Sequence, residues 1–307
     1  MGTLAGHILP GSFFLFFGVW WGYCMLRSYY LCRREASFSG RIMKSGSRYR
    51  SVLLFNTSCS LSCCCCRKLP FEAILVVTSC TIGIIGEAVT GFEGGKFVHL
   101  GNGQHITMYF FFAVMGLCSI LVHYRFTLPP DLDYVSALLA ISVEGILFLY
   151  HLHGRTVMDV QVHIFLMYVV AASAVSGALE MTHKKNIIPA LGRAFFTTLQ
   201  GTWFIHVGFI LYPPSWMSHW NETDHEQMMI ITMVFTWHFA AVFLLFFMIG
   251  VMVCTRVKYM SKAQIVKTLD LKAARHGTSM NGIGLHGSNM DAEQTRNIIM
   301  DSDEDEL

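Results

Sequence analysis

The sequence predicts an all-α fold, a polytopic membrane protein built as a bundle of seven transmembrane helices. Of its 307 residues, 53% are hydrophobic and 14% are charged, whereas a soluble domain carries roughly 25% charged residues. Several apolar stretches reach about 20 residues, the length that a helix needs to cross the hydrocarbon core. Backbone amides in lipid must be satisfied within each segment, and these runs are too long for barrel strands, so each span is predicted to be helical.

Seven apolar windows define the predicted spans. They cover Gly6–Leu26, Phe71–Thr90, His105–Val122, Val135–His151, Met158–Ala178, Ile188–Leu211 and Met228–Val253. The first window has no preceding basic residue and no small-residue cleavage pattern, so we interpret it as a retained span rather than a secretion signal. The predicted membrane domain therefore covers residues 1–255, with a long basic loop at 27–70 and a tail at 256–307.

Basic residues in the loops predict the orientation. The loop 27–70 carries a run of arginines and lysines, from Arg27 to Lys68, against a single acid, Glu35. Short loops that are rich in Lys and Arg stay in the cytosol. Alternation then places Lys184 and Lys185 inside as well, so the amino terminus is predicted to be luminal or extracellular and the tail cytosolic.

Two features outside the spans predict covalent modification. Four adjacent cysteines precede the second span beside Arg67 and Lys68, the setting of S-palmitoylation, with free thiols as the alternative; they are Cys63, Cys64, Cys65 and Cys66. An Asn-x-Thr glycosylation acceptor begins at Asn221, in a predicted outer loop.

The tail 256–307 is polar and ends in acidic residues, a composition that predicts disorder. The expected partners are membrane lipids and proteins that bind the cytosolic loop and tail. No nucleic-acid role is predicted, because the basic residues line a membrane-proximal loop.

Polar side chains concentrate in the outer halves of the predicted spans. A charged group near the centre of a span costs roughly 2.5–3.5 kcal/mol, so each one calls for a partner or a purpose. The sequence therefore predicts a polar cavity on the luminal side that binds a small ligand, a metal ion or a proton. Its predicted residues are His7, Glu87, His105, Glu144, His151, Asp159, His163, Gln200, Trp203 and His238. Polar groups near the cytosolic side are sparse by comparison, and Glu180 is expected at the membrane interface.

Spacing within two helices supports that cavity. Glu144 and His151 lie two turns apart on one helical face, and Asp159 and His163 form an i, i+4 pair. Imidazole and carboxylate groups ligate zinc-like ions and also relay protons. His105, His151 and His163 are the predicted ligands of a transition-metal ion such as zinc. Alternatively, these groups only hydrogen-bond one another and stabilise the bundle.

Other seven-helix classes are disfavoured by missing residues. No predicted span contains the lysine that a retinal protein needs, and the third span is not followed by Asp-Arg-Tyr. Three hypotheses remain: a non-enzymatic ligand-binding membrane protein, a structural or trafficking protein, and a membrane-embedded metal-dependent lipid hydrolase. In the hydrolase, His105, His151 and His163 would hold the metal while Glu144 or Asp159 activates water.

Several motifs occur in order along the spans. They are Gly6-His7-x-Leu9-Pro10-Gly11-Ser12-Phe13-Phe14, Gln104-His105-x-Thr107-Met108-Tyr109, Glu144-Gly145, His151-x-His153, Asp159 with His163, Leu199-Gln200-Gly201-Thr202-Trp203-Phe204, Tyr212-Pro213-Pro214 and Trp237-His238. From His7 to about His238, this pattern resembles the transmembrane protein 45 family. The resemblance implies a seven-span protein of Golgi, endosomal or plasma membranes, and it supplies no catalytic residues. The family carries Gln at the position of His206 and has no general Cys63–Cys66 cluster, so His206 is left out of the predicted site.

Overall fold

The computed structural model describes residues 3–38, 49–55, 69–150, 152, 154–266 and 268–269. The seven predicted helices are confirmed. They are α1 Leu4–Phe38, α2 Phe71–Gly91, α3 Leu100–His123, α4 Leu132–Tyr150, α5 Val157–Thr182, α6 Ile187–Leu211 and α7 His225–Lys258. Each is long and apolar enough to cross a membrane. His151 and the cluster Cys63–Cys66 lie outside the described residues.

The chain divides into two units, Met1–Lys262 and Ala263–Leu307, and most of the second lies outside the described residues. The first contains all seven helices. Helix α1 extends past the predicted end of its span into the basic loop, because Leu31 finds a fully buried position there. Helix α7 likewise continues to Lys258, and Arg256 and Lys258 in its last turn suit the negative end of the helix dipole.

A tight hairpin joins α2 to α3. Its strands are β1 Phe92–Glu93 and β2 Lys96–Phe97, paired antiparallel. The two connecting residues, Gly94 and Gly95, have φ angles of +58° and +79°, which glycine adopts without steric cost in two-residue hairpin turns. The hairpin folds α3 directly back along α2.

Six helices follow one another around a central space. Helix α2 packs on α3, α3 on α4, α4 on α5, α5 on α6 and α6 on α1, while α7 lies against α1 and α6. Helices α1 and α2 are therefore the two ends of this series. They meet where the side chains of Trp20 and Trp21 reach Glu72, near the start of α2.

Glycines allow the backbones of α1 and α6 to touch. A Cβ atom added to Gly18 would lie 2.6 Å from the backbone N of Thr198, and one added to Gly208 would lie 2.8 Å from the Cβ of His7. A Cβ atom on Gly201 would overlap the backbone N of Leu15. Small residues at such crossings give transmembrane helices the close van der Waals contact that holds them together.

We expect Gly201→Ala to separate α1 from α6, since its Cβ meets backbone rather than a movable side chain. Such overpacking costs about 1–3 kcal/mol and should lower the midpoint of thermal unfolding in detergent. The matched control is Gly250→Ala in α7, where a Cβ finds no atom within 4 Å among the described residues. Alanine there should leave stability unchanged or raise it, because alanine favours helix. Equal midpoints for the two variants would contradict the close crossing.

Candidate functional site

A cavity of about 600 Å³ lies inside the series of six helices. Its walls are mostly apolar and come from α1 through α6. Representative lining residues are Phe13, Phe17, Val76, Met108, Met115 and Ile141. Ligand pockets typically measure about 300–1,000 Å³, so this volume suits a small organic molecule.

The cavity reaches the outer surface of the bundle between α1 and α2. Leu9 on α1 and Ile82 on α2 both line it, and yet they remain 60% and 66% exposed. Gly86, one turn beyond Ile82, also lines this part and is exposed. The cavity is therefore open at the side of the bundle, between two helices.

The segment 49–55 closes the opposite end of the cavity. Leu53 and Leu54 are buried and line the cavity. The backbone N–H of Ser51 donates to the carbonyl of Lys184 over 2.8 Å, which ties the segment to the end of the α5–α6 turn. Burial and the nearby Glu180 carboxylate raise the pKa of Tyr49, so its phenol stays neutral. This part of the basic loop is thus an ordered floor.

A buried ion pair anchors that floor. Arg193 donates from Nε to Glu180 Oε2 over 2.5 Å, and its Nη2 donates to the carbonyl of Leu53 over 3.2 Å. Tyr134 donates its hydroxyl to Glu180 Oε1 over 3.0 Å, and the guanidinium lies 4.7 Å from the centre of the Trp21 ring. The expected place of Glu180 at the membrane interface stays a prediction. Within the bundle its side chain is fully buried, because α4, α6 and the segment 49–55 cover the end of α5.

Glu72 supports the same region from α2. Its carboxylate accepts from the indole N–H groups of Trp20 and Trp21, over 2.6 and 3.4 Å, and from the backbone N–H of Phe55 over 2.7 Å. The carboxylate therefore joins α1, α2 and the floor segment. Polar groups at this end of the bundle are not sparse, contrary to the expectation from sequence.

The predicted site residues lie in separate groups. On α5, His163 Nδ1 is 2.8 Å from Asp159 Oδ1, and Arg155 donates twice to that same carboxylate, over 2.8 and 3.0 Å. The ring of His7 lies 6.1 Å from that of His163, centre to centre, and 5.4 Å from that of Tyr212. This group brings the start of α1 to the start of α5.

A second group joins α2 and α3. His105 Nδ1 lies 3.0 Å from Glu87 Oε1, and both side chains are partly exposed. Glu87 also lines the cavity near its opening. The hairpin folds α3 back along α2, and this places the two side chains next to each other.

Glu144 and Gln200 form a third group in the interior. Both side chains are fully buried, and Gln200 Nε2 donates to Glu144 Oε1 over 2.9 Å. Glu144 Oε2 and Gln200 Oε1 have no hydrogen-bond partner among the described residues. The pair links α4 to α6 across an apolar core.

The fourth group contains Trp203 and His238. Trp203 is fully buried and donates its indole N–H to the carbonyl of Val162 over 3.0 Å. His238 Nε2 lies 3.1 Å from His206 Nδ1, and the Trp203 ring stacks on that of His206. His206, which is not among the predicted site residues, is thus a direct neighbour of two of them.

No group of three His, Cys, Asp or Glu side chains that could hold a metal ion occurs within the described part of the chain. Because His151 lies outside that part, the metal set His105, His151 and His163 stays a prediction. In the structure, His105 of α3 is paired with Glu87 of α2, whereas His163 is paired with Asp159 within α5.

Comparison with known proteins supports the membrane assignment. A family model described as a family of unknown function (DUF716) matches residues 130–251, which run from just before α4 through most of α7. The chain is a multi-pass integral membrane protein. Similar proteins include transmembrane epididymal protein 1A of Mus musculus, 24% identical over 250 residues, and transmembrane epididymal protein 1 of Rattus norvegicus, 23% identical over 250 residues. Each of these alignments covers 78% of this chain and 76% of the relative.

A human relative matches a shorter part. Transmembrane epididymal protein 1 of Homo sapiens is 24% identical over 151 residues, which cover 47% of this chain and 53% of that protein. The names of these relatives state a membrane location and no chemical activity.

We expect Glu180→Ala to destabilise the bundle strongly, because it leaves the Arg193 guanidinium buried without its carboxylate. Breaking a buried ion pair in this way costs about 3–5 kcal/mol. The matched control is Glu226→Ala, at an exposed carboxylate in the first turn of α7. Thermal unfolding in detergent measures both variants. A Glu180→Ala midpoint close to that of the control would show that the pair does not hold the floor.

Proposed function

We propose that this protein binds a single amphiphilic lipid, without chemical conversion, in the cavity between its helices. The observation that carries the proposal is a cavity of about 600 Å³ with apolar walls from six helices. Its opening between α1 and α2 gives a route from the bilayer that does not pass through water. The neighbouring pair Glu87 and His105 supplies polar groups at this opening.

The volume favours a lipid with one chain or a sterol-sized body. At about 30 Å³ for each water-sized group, the cavity holds about twenty such groups. A lipid already in the bilayer gains little hydrophobic free energy on entering, since its surroundings are apolar before and after. Selectivity must therefore come from shape and from the polar groups in the walls.

In this proposal, most of the predicted histidine and carboxylate residues hold helices together and do not contact the lipid. Of the predicted residues that the structure describes, Glu87 lines the cavity, whereas the groups around Asp159, Glu144 and His238 join neighbouring helices. Polar contacts between transmembrane helices contribute about 0.6 kcal/mol each on average. Binding of a proton or small polar ligand by these groups remains part of the proposal.

Location and orientation belong to the same proposal. The motifs along the spans support a place in the transmembrane protein 45 family, and with it residence in Golgi, endosomal or plasma membranes. The basic loop supports a luminal or extracellular amino terminus, and a cytosolic loop palmitoylated at Cys63–Cys66. The cytosolic tail 256–307 and that loop are the proposed sites for protein partners.

If this orientation is right, Asn221 lies on the glycosylated side of the membrane. Its side chain is exposed in the loop between α6 and α7, and Thr223 donates to it over 3.0 Å. Glycosidase treatment should increase the gel mobility of the wild type and of Thr223→Ser, which keeps the acceptor motif. Asn221→Gln should show no shift. If Asn221 is unmodified and an acceptor motif appended to the tail carries a glycan, the protein has the opposite orientation and the proposed one is wrong.

Ala137→Phe should exclude the lipid, because Ala137 lines the cavity and a phenyl ring there fills part of it. The test is mass spectrometry of lipids extracted from monodisperse, detergent-purified protein. Wild type should retain about one single-chain or sterol lipid per chain. The matched control is Ala241→Phe, at an exposed position of α7, and it should retain the lipid. Wild type without retained lipid, or Ala137→Phe with as much as wild type, would contradict the proposal.

A further inference from the structure

One nitrogen of Arg193 has no hydrogen-bond partner within the described structure. The residue is 6% exposed and lines the cavity. Its Nε and Nη2 donate to Glu180, and Nη2 also reaches the carbonyl of Leu53, whereas the buried Nη1 donates to nothing described. A buried donor without an acceptor costs about 1–3 kcal/mol, more when it is charged. Nη1 is itself covered by its neighbours, so a ligand oxygen reaches it when the Arg193 side chain turns toward the cavity that it lines. That contact would remove the cost.

The charges around Arg193 decide which oxygen fits. Glu180 already neutralises the guanidinium at 2.5 and 3.3 Å. Trp21, which lies against the guanidinium, also binds the carboxylate of Glu72. Among the described contacts of the guanidinium, an anionic headgroup would therefore meet the Glu180 carboxylate, with Glu72 as a second acidic side chain beyond Trp21. An uncharged acceptor, such as an ester or hydroxyl oxygen, uses the free nitrogen without that repulsion.

Two hydroxyl groups extend the polar end of the cavity. Thr197 lies one turn beyond Arg193 on the same face of α6, and Ser173 lines the cavity from α5. Both are buried. From there to the opening at Leu9 and Ile82, the walls are mainly apolar. The cavity therefore has a polar inner end and an apolar path to the bilayer.

We propose that Arg193 Nη1 donates a hydrogen bond to the headgroup of an uncharged lipid, whose chain runs toward the opening between α1 and α2. This inference rests on the proposed function and specifies the class of ligand. Monoacylglycerol represents the class, since it joins one acyl chain to ester and hydroxyl oxygens.

Two photoreactive probes test the charge requirement. One is a monoacylglycerol with a diazirine in its acyl chain, and the other is the same molecule phosphorylated on glycerol, a lysophosphatidate. With wild type in nanodiscs, labelling should be saturable and the affinity for the uncharged probe about tenfold higher. Equal or tighter binding of the phosphorylated probe would contradict the inferred preference for an uncharged headgroup.

Arg193→Lys tests the nitrogen itself. Lysine keeps the charge beside Glu180 but offers one nitrogen in place of the guanidinium fork. We expect about tenfold weaker binding of the monoacylglycerol probe, the usual effect of losing one hydrogen bond to a charged donor. If the lysine variant does not fold, the double variant Arg193→Gln, Glu180→Gln takes its place. It removes both charges together and therefore leaves neither ion unpaired. It should weaken binding similarly.

The remaining outcomes separate this inference from the proposed function. Unchanged affinity in both Arg193 variants, with labelling abolished by Ala137→Phe, would overturn the role of Arg193 and keep the cavity as a lipid site. Absence of saturable labelling in wild type by either probe would overturn the monoacylglycerol-like ligand, and absence of any retained lipid in purified wild type as well would overturn both. Weaker binding in the Arg193 variants, with Ala241→Phe at wild-type affinity, is the expected result.

Discussion

The close crossing of α1 and α6 is the constraint on which the rest of this structure depends. In lipid, helices gain little from burying apolar surface, so they associate through close van der Waals packing and polar contacts. Gly18 and Gly201 let the two backbones touch. Helix α6 also carries Arg193, Gln200 and Trp203, each bonded to a different neighbouring element. The position of α6 therefore decides where these bonds form.

The cavity follows from the same arrangement. Helix α1 is held against α6, and α2 is held against α3 by the hairpin, so the space between α1 and α2 is bridged at one end by Trp20, Trp21 and Glu72. At the other end, Leu9 and Ile82 stay exposed. The proposed amphiphilic ligand matches this arrangement, because the cavity has mainly apolar walls, a polar inner end and an opening between two helices.

The sequence predicted the seven helices because their apolar length alone requires them to span a bilayer. It predicted the pairing of Asp159 with His163, which lie one turn apart. It did not predict that the polar residues form separate groups, because periodicity within a helix does not say which helices are neighbours. Glu180 and Arg193 were missed for a related reason: charges near the ends of spans look interfacial until the elements that cover them are known.

The floor of the cavity is a stretch of loop and not a helix. A change in the segment 49–55 can alter how deep the cavity is without moving any of the seven helices. This segment also precedes residues 130–251, the part of the chain that the family model covers. Under the proposed function, exchanging this short connecting peptide would change the length of the lipid that the cavity accepts.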